Sequence, residues 1–337
     1  MNGPSMLVVG AGAIGGVTAA MMTETGIRVA VLDANEEHVK RMRSPGLLVD
    51  DLGEEKRVRL DAYADPDNLS GPFDFALVTL KAPHLERALG PLVERELVDT
   101  FVSLGNGLVQ DRIAHIVGEG SLIWGVVEWG ATNLGPGHLA RTTRGPFIIG
   151  EPDGEARVRP RQLAEALGTV DGANVTGNIR GQVWSKLLVN SAFSGLGAVS
   201  GLLYEEVVAD PDGSEAALAV WREGHDAGMA QGLELEDVLG VPANALVVRG
   251  SEDQARADAA LEIAMRQAGA TKASMLQDLE RGLKTEVDVI NGAVVEKGRE
   301  HGIETPLNAH VVELMHAMER GERKPGRDVF EELLSLA

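Results

Sequence analysis

The chain has 337 residues, enough for two cores of ordinary size, and its hydrophobic fraction of 44% is that of a soluble globular fold. A formal net charge of −20 without any basic stripe argues against nucleic acid and against anionic membrane surfaces, since both would repel it. There is no cysteine, which excludes disulfides and thiolate metal sites.

The first predicted element is the apolar run Met6-Leu7-Val8-Val9, which leads straight into Gly10-Ala11-Gly12-Ala13-Ile14-Gly15. A strand entering G-x-G-x-x-G predicts a dinucleotide-binding turn. Gly10 permits the tight turn, Gly12 lets the backbone approach a pyrophosphate, and Gly15 lets the following helix pack on the strand. Backbone N–H groups at the helix start, around Ala13 and Ile14, then face the phosphates. A second apolar run, Val29-Ala30-Val31-Leu32, ends at Asp33, where a carboxylate can accept from ribose hydroxyls and repel a 2′-phosphate. The expected cofactor is therefore NAD, with NADP disfavoured. The apolar start lacks the basic n-region of a signal peptide and reads as the first strand and helix of a cytoplasmic protein.

Further buried strands are predicted at Phe75-Ala76-Leu77-Val78-Thr79-Leu80, Phe101-Val102-Ser103-Leu104 and Leu122-Ile123-Trp124-Gly125-Val126-Val127, with helical patterns between them. This alternation predicts an α/β fold, with a doubly wound Rossmann-like parallel sheet in residues 1–177. Gly137 to Arg141 and Pro146 to Gly150 read as a strand pair joined by a short basic turn, closing that sheet. From Arg180 onward the pattern is helical, with breaks at Pro211-Asp212-Gly213, Gly240-Val241-Pro242 and Thr305-Pro306, which predicts an all-helical second domain over residues 178–337. Ser251 to Gln267 reads as a solvated helix face. The apolar positions of this half are compatible with a homodimer.

Within the helical half, Lys186 and Asn190 are four residues apart and share one helix face beside apolar neighbours. A lysine in that place is either solvated or functional. Polar groups also interrupt Ser274-Met275-Leu276-Gln277-Asp278 and Thr285-Glu286-Val287-Asp288-Val289-Ile290-Asn291-Gly292, and no spacing rule links these segments. His115, His138, His225, His301, His310 and His316 are dispersed without metal-ligand spacing, so no metal site is expected.

These segments, together with Thr79-Leu80-Lys81, Gly105-Asn106-Gly107 and Trp184-Ser185-Lys186-Leu187, occur in one order over nearly the whole chain. In that set and order the chain resembles the ketopantoate reductase (2-dehydropantoate 2-reductase) family, which also includes NAD-dependent D-2-hydroxyacid dehydrogenases similar to D-mandelate dehydrogenase. The resemblance implies hydride transfer at a ketone carbon. It assigns Lys186 as the proton donor to the carbonyl oxygen and Glu286 as its acidic partner. Asn190 would position the carbonyl or a neighbouring hydroxyl, Ser274 would bind a substrate carboxylate, Asn106 would sit where cofactor and substrate meet, and Lys81 would lie near the cofactor.

The chain departs from the family pattern in four places: Asp33 stands where a basic residue meets the 2′-phosphate, Ser194 and Thr271 stand where asparagines are usual, and Glu128-Trp129 replaces a polar pair. Three readings follow. The first is an NAD-preferring oxidoreductase acting on a 2-keto acid or related ketone, with a bulky substrate group near Trp129. The second is 2-dehydropantoate reduction in pantothenate synthesis, and the third a non-catalytic NADH-binding sensor.

Overall fold

A computed structural model describes residues 3–336. The chain divides into two compact units, one comprising the residues up to Gly105 with Val109–Ile179, the other comprising Asn106–Leu108 with the chain from Arg180 onward.

The first unit is a mixed α/β structure. Its strands are β1 (Met6–Val9), β2 (Val29–Leu32), β3 (Leu47–Asp51), β4 (Glu54–Val58), β5 (Asp61–Tyr63), β6 (Phe73–Val78), β7 (Val98–Ser103), β8 (Leu122–Val127), β9 (Ala131–Gly135), β10 (His138–Arg141), β11 (Phe147–Gly150) and β12 (Ala173–Val175). Its helices are α1 (Ala13–Glu24), α2 (Glu36–Arg41), α3 (Leu85–Glu94), α4 (Gln110–Val117) and α5 (Val158–Leu167). The main sheet runs β12-β11-β8-β7-β6-β1-β2-β5. From β5 to β8 every neighbouring pair is parallel, and the order is that of a doubly wound nucleotide-binding sheet, reversing beside β1. Strands β1 and β2 are buried at every residue, as expected of a sheet covered on both faces.

A second sheet, β4-β3-β10-β9, lies in the same unit. It corrects the expected pairing of Gly137–Arg141 with Pro146–Gly150. β10 pairs with β9 and β3, whereas β11 runs antiparallel to β8 in the main sheet. The physical reason is visible in their burial: β10 alternates buried and half-buried residues, suiting a sheet with one wet face, while all four residues of β11 are buried.

The second unit is helical, with α6 (Ile179–Val189), α7 (Gly195–Ser200), α8 (Tyr204–Ala209), α9 (Pro211–Ala230), α10 (Gln254–Ala268), α11 (Ser274–Glu280), α12 (Asn291–His301), α13 (Pro306–Glu319) and α14 (Asp328–Leu334). A π-helical turn, Asn190–Ser194, joins α6 to α7, and Gly201 in the left-handed region (φ 80°) ends the run. The core includes Trp184, Phe193, Trp221 and Phe330. Both indole N–H groups in it are satisfied, Trp184 donating to the Gly224 carbonyl at 3.0 Å and Trp221 to that of Ala243 at 2.9 Å.

Pro211-Asp212-Gly213 is the first turn of α9 and not a break. The Asp210 carboxylate caps it, accepting from the N–H groups of Asp212 and Gly213, and Pro211 occupies the first helical position, where its missing N–H costs nothing. Ser251–Gln267 lies mostly on α10, whose buried residues are Ala257, Ala260, Leu261 and Ala264. No helix among the described residues is long and apolar enough to cross a membrane.

Candidate active site

In the first unit the glycine turn follows β1 directly. Gly10 has φ +94°, a conformation that L side chains avoid, and Leu80 packs where a Cβ would stand. A Cβ on Gly15 would fall on the Gly10 carbonyl and the Thr79 hydroxyl, so close packing of helix on strand requires glycine there. The Thr79 hydroxyl donates to the Gly10 carbonyl at 2.5 Å, which fixes the turn from β6. Nothing lies within 4 Å of a Cβ built on Gly12. That open face meets the start of α1, which has no side-chain cap and no acid in its first turn.

Asp33 is half-buried. Its Oδ2 accepts from the N–H of Ala11 at 2.7 Å and its Oδ1 from Asn35 at 2.9 Å. Each carboxylate oxygen retains a lone pair that ribose hydroxyls could use. Helix α2 begins just beyond with Glu36 and Glu37, adding negative charge on that side. An open glycine cradle, uncapped N–H groups and a carboxylate at the end of β2 fit a dinucleotide, with Gly10, Gly12, Ala13, Ile14, Gly15 and Asp33 as the residues that would hold it. Lys81 is half-buried immediately before the short Ala82–His84 turn.

In the second unit, α6 is buried along most of its length and packs closely on α9. A Cβ on Gly224 would meet Leu188, and one on Gly228 would meet the Trp184 indole. Only Gln182, Lys186 and Asn190 are half-buried in the stretch Gly181–Ser200. Their spacing of four places them on one polar strip, which puts a lysine on the accessible line of a helix that is otherwise buried from Gly181 onward.

The turn after Lys186 is propped from behind. The Asn291 side-chain amide, fully buried, donates to the Ser191 carbonyl at 3.0 Å and to Asn308 Oδ1 at 3.0 Å. Asn308 in turn donates to Glu223 Oε2 at 2.8 Å, and Glu223 accepts from the N–H groups of Leu307 and Asn308 at the start of α13. Burial pushes the Glu223 carboxyl above its ordinary pKa, against the pull of these donors. Gly195 has no room for a Cβ without crowding Asn291.

Glu286 is half-buried between two anchored neighbours. Thr285 donates from both N–H and hydroxyl to Glu319, at 2.7 and 2.8 Å, and Val287 is in the core. The Asn106–Leu108 segment docks on the short turn that follows, where the Leu108 N–H donates to the Val289 carbonyl at 2.8 Å. Gly107, with φ +73°, lies so close to that carbonyl that only glycine fits. Asn106 and Glu286 thus sit on segments packed together within one unit. Ser274, the first residue of α11, is exposed.

One position departs from expectation. Trp129 is 4% exposed and packs edge-on against Phe147 in the core of the first unit, so it offers no wall for a bulky substrate. Ser194, where the family pattern has asparagine, is buried in the π-helical turn and hydrogen-bonded to the Tyr204 hydroxyl. Sequence reasoning passed over Gln182, Asn308, Glu223, Glu319 and His38; a polar residue inside an apolar helical pattern, as at Asn308, was the one available signal. Among the described residues no group of three or more His, Asp or Glu side chains is arranged to hold a metal ion.

Fold and site together define a pyridine-nucleotide-dependent oxidoreductase with a Rossmann-type unit and a helical unit. Family models for ketopantoate reductase PanE/ApbA match residues 6–154, and for its C-terminal part residues 178–319. The 2-dehydropantoate 2-reductase of Archaeoglobus fulgidus is 30% identical over 93% of this chain and 97% of its own, and that of Mesorhizobium japonicum 31% identical over 93% and 98%. The chain belongs to the ketopantoate reductase family, whose members act on a keto group. A solved ternary structure of D-mandelate dehydrogenase with NADH and anilino(oxo)acetate superposes with a TM-score of 0.81 at 24% identity, covering 94% of this chain and 99% of that one. A ketopantoate reductase from Ralstonia eutropha JMP134 gives 0.79 at 23%, over 94% and 99%. At these identities the structural likeness establishes the fold.

Proposed function

We propose that the protein is an NAD-preferring reductase of a 2-keto acid, with Lys186 and Glu286 as its catalytic pair. The observation that carries this reading is the polar strip of Gln182 and Lys186 on the buried helix α6, continued by Asn190 at the start of the π-helical turn. When bound, the nicotinamide supplies the hydride. The Lys186 ammonium donates its proton to the carbonyl oxygen, so that an alkoxide never has to form in isolation. The Glu286 carboxylate orients that ammonium, Asn190 and Asn106 position the carbonyl, and Ser274 accepts the role of a donor to the substrate carboxylate. Asp33 supports the preference for NAD, because its charge and those of Glu36 and Glu37 oppose a 2′-phosphate.

The substrate class draws support from D-mandelate dehydrogenase, whose bound anilino(oxo)acetate is a 2-oxo acid derivative. A second reading, 2-dehydropantoate itself, is favoured by the names of the curated relatives. The core position of Ser194 speaks for the first, since the hydroxyl is spent on Tyr204. We further place the enzyme in the cytoplasm, as a homodimer.

The test is a spectrophotometric screen of NADH and NADPH against 2-keto acids, aromatic and aliphatic, with 2-dehydropantoate included. Oxidation of NADH by a 2-keto acid is the expected result. A clear optimum on 2-dehydropantoate with NADPH would establish the second reading. Binding of NADH with no turnover on any ketone would refute both.

A further inference from the structure

His38 belongs to no motif of the chain, yet it is 3% exposed and both of its ring nitrogens are engaged. The Gly137 N–H donates to Nδ1 at 2.8 Å, which makes Nδ1 an acceptor and leaves the proton on Nε2. Nε2–H then donates to the carbonyl oxygen of Ala11, also at 2.8 Å. Ala11 is the residue between the first two glycines of the turn, and its own N–H is held by Asp33. The peptide groups on both sides of the Ala11 Cα are therefore fixed by side chains, one from the end of β2 and one from α2.

The consequence follows from peptide geometry. A trans peptide is planar, so its C=O and N–H point in opposite directions. Drawing the Ala11 carbonyl toward His38 turns the Gly12 N–H the other way. Of the three glycines of the turn, Gly12 is the one with nothing within 4 Å of a would-be Cβ, at the start of α1, which has no side-chain cap. We infer that His38 is a positioning residue for the dinucleotide: by holding the Ala11 carbonyl it aims the Gly12 N–H at the phosphates. This rests on the reading that the glycine turn binds a dinucleotide. The competing role is a structural tether between α2 and the turn joining β9 to β10, where Gly137 sits against Arg41.

Two substitutions separate these roles, because each keeps one of the two hydrogen bonds. In His38→Gln the side-chain amide N–H occupies the place of Nε2 and still donates to Ala11. In His38→Asn the side-chain oxygen occupies the place of Nδ1 and still accepts from Gly137. Full-length wild type and both variants are titrated with NADH by its fluorescence, and their melting temperatures are measured alongside. The inference expects His38→Gln to bind NADH within about threefold of wild type and His38→Asn to bind about tenfold more weakly, although each loses one bond. Equal affinity in the two variants, or the weaker binding in His38→Gln, overturns it.

Should neither variant fold, the wild-type protein carries the test through 15N NMR of its imidazoles. A neutral Nε2–H tautomer at His38 that responds to NADH supports the inference. An Nδ1–H tautomer, or no response to bound NADH, overturns it. Wild type that binds neither NADH nor NADPH refutes the nucleotide reading itself, and this inference with it.

Discussion

The two units build their candidate site segments by different routes. In the first, the binding turn is local: Gly10, Gly12 and Gly15 lie within six residues, and Asp33 reaches Ala11 from the next strand. In the second, the π-helical turn at the end of the polar strip is held by residues distant in sequence, Asn291, a hundred positions on, gripping Ser191 and Asn308 linking it to Glu223. Local backbone demands leave a recognisable signature in a sequence. A relay of buried amides does not, because each member looks like an ordinary polar residue until the helices pack.

Lys186→Ala breaks the comparison at its most sensitive point. If the second unit supplies the proton, turnover falls by a factor on the order of 10² to 10⁴ while NADH affinity stays within about twofold. Steady-state kinetics and NADH titration on one preparation check both.

Asp51→Asn probes the first unit away from its nucleotide turn. Burial raises the Asp51 carboxyl, but hydrogen bonds and charge from Arg141 and Lys56 outweigh it and hold the group below its ordinary value of 3.8. Arg141 is buried and donates to Asp51 at 2.6 Å. A carboxyl with a depressed folded pKa contributes stability above its unfolded pKa and loses it as pH falls through the folded one. Arg141 keeps its second partner, Asp171, at 3.1 Å, so chemical denaturation should show a loss of about 2 kcal/mol at neutral pH, below that of an orphaned buried charge, shrinking as pH falls below about 4 and the wild type itself weakens.

Asn291→Ala tests the relay. It leaves the Ser191 carbonyl and Asn308 Oδ1 without their donor inside the core, a cost of about 2 kcal/mol. Thermal unfolding gives the stability, and turnover should fall with NADH affinity unchanged. Asp33→Asn has the smallest effect. A preference for NADH over NADPH of at least tenfold, about 1.4 kcal/mol, should narrow, since the repulsion goes while the amide oxygen keeps one of the two backbone N–H bonds.

What could be read from the sequence follows the same division. The parallel strands were legible because both faces of the sheet are covered, giving continuous apolar runs such as Met6–Val9. The small sheet was not: β4 reads Glu-Glu-Lys-Arg-Val and is largely exposed, which hides it among loop residues. β10 and β11 were legible as strands but not as members of different sheets, a matter of pairing that periodicity does not encode. Lys186 and Asn190 were legible by their spacing, while the π-helical turn that begins at Asn190 has no local signal. His38 escaped because its partners, Ala11 and Gly137, contribute only backbone atoms. Backbone groups carry no side-chain identity for a sequence to display.

The central claim is that nucleotide selection belongs to Asp33 and proton delivery to Lys186, and the double mutant of Asp33→Asn with Lys186→Ala measures it most directly. Binding of NADH and NADPH and single-turnover reduction of the best 2-keto acid are recorded for wild type, both single mutants and the double. The account predicts that each substitution changes its own quantity and that the effects add within about 0.5 kcal/mol. An interaction energy above about 1 kcal/mol, or a Lys186→Ala protein with wild-type turnover, would contradict it.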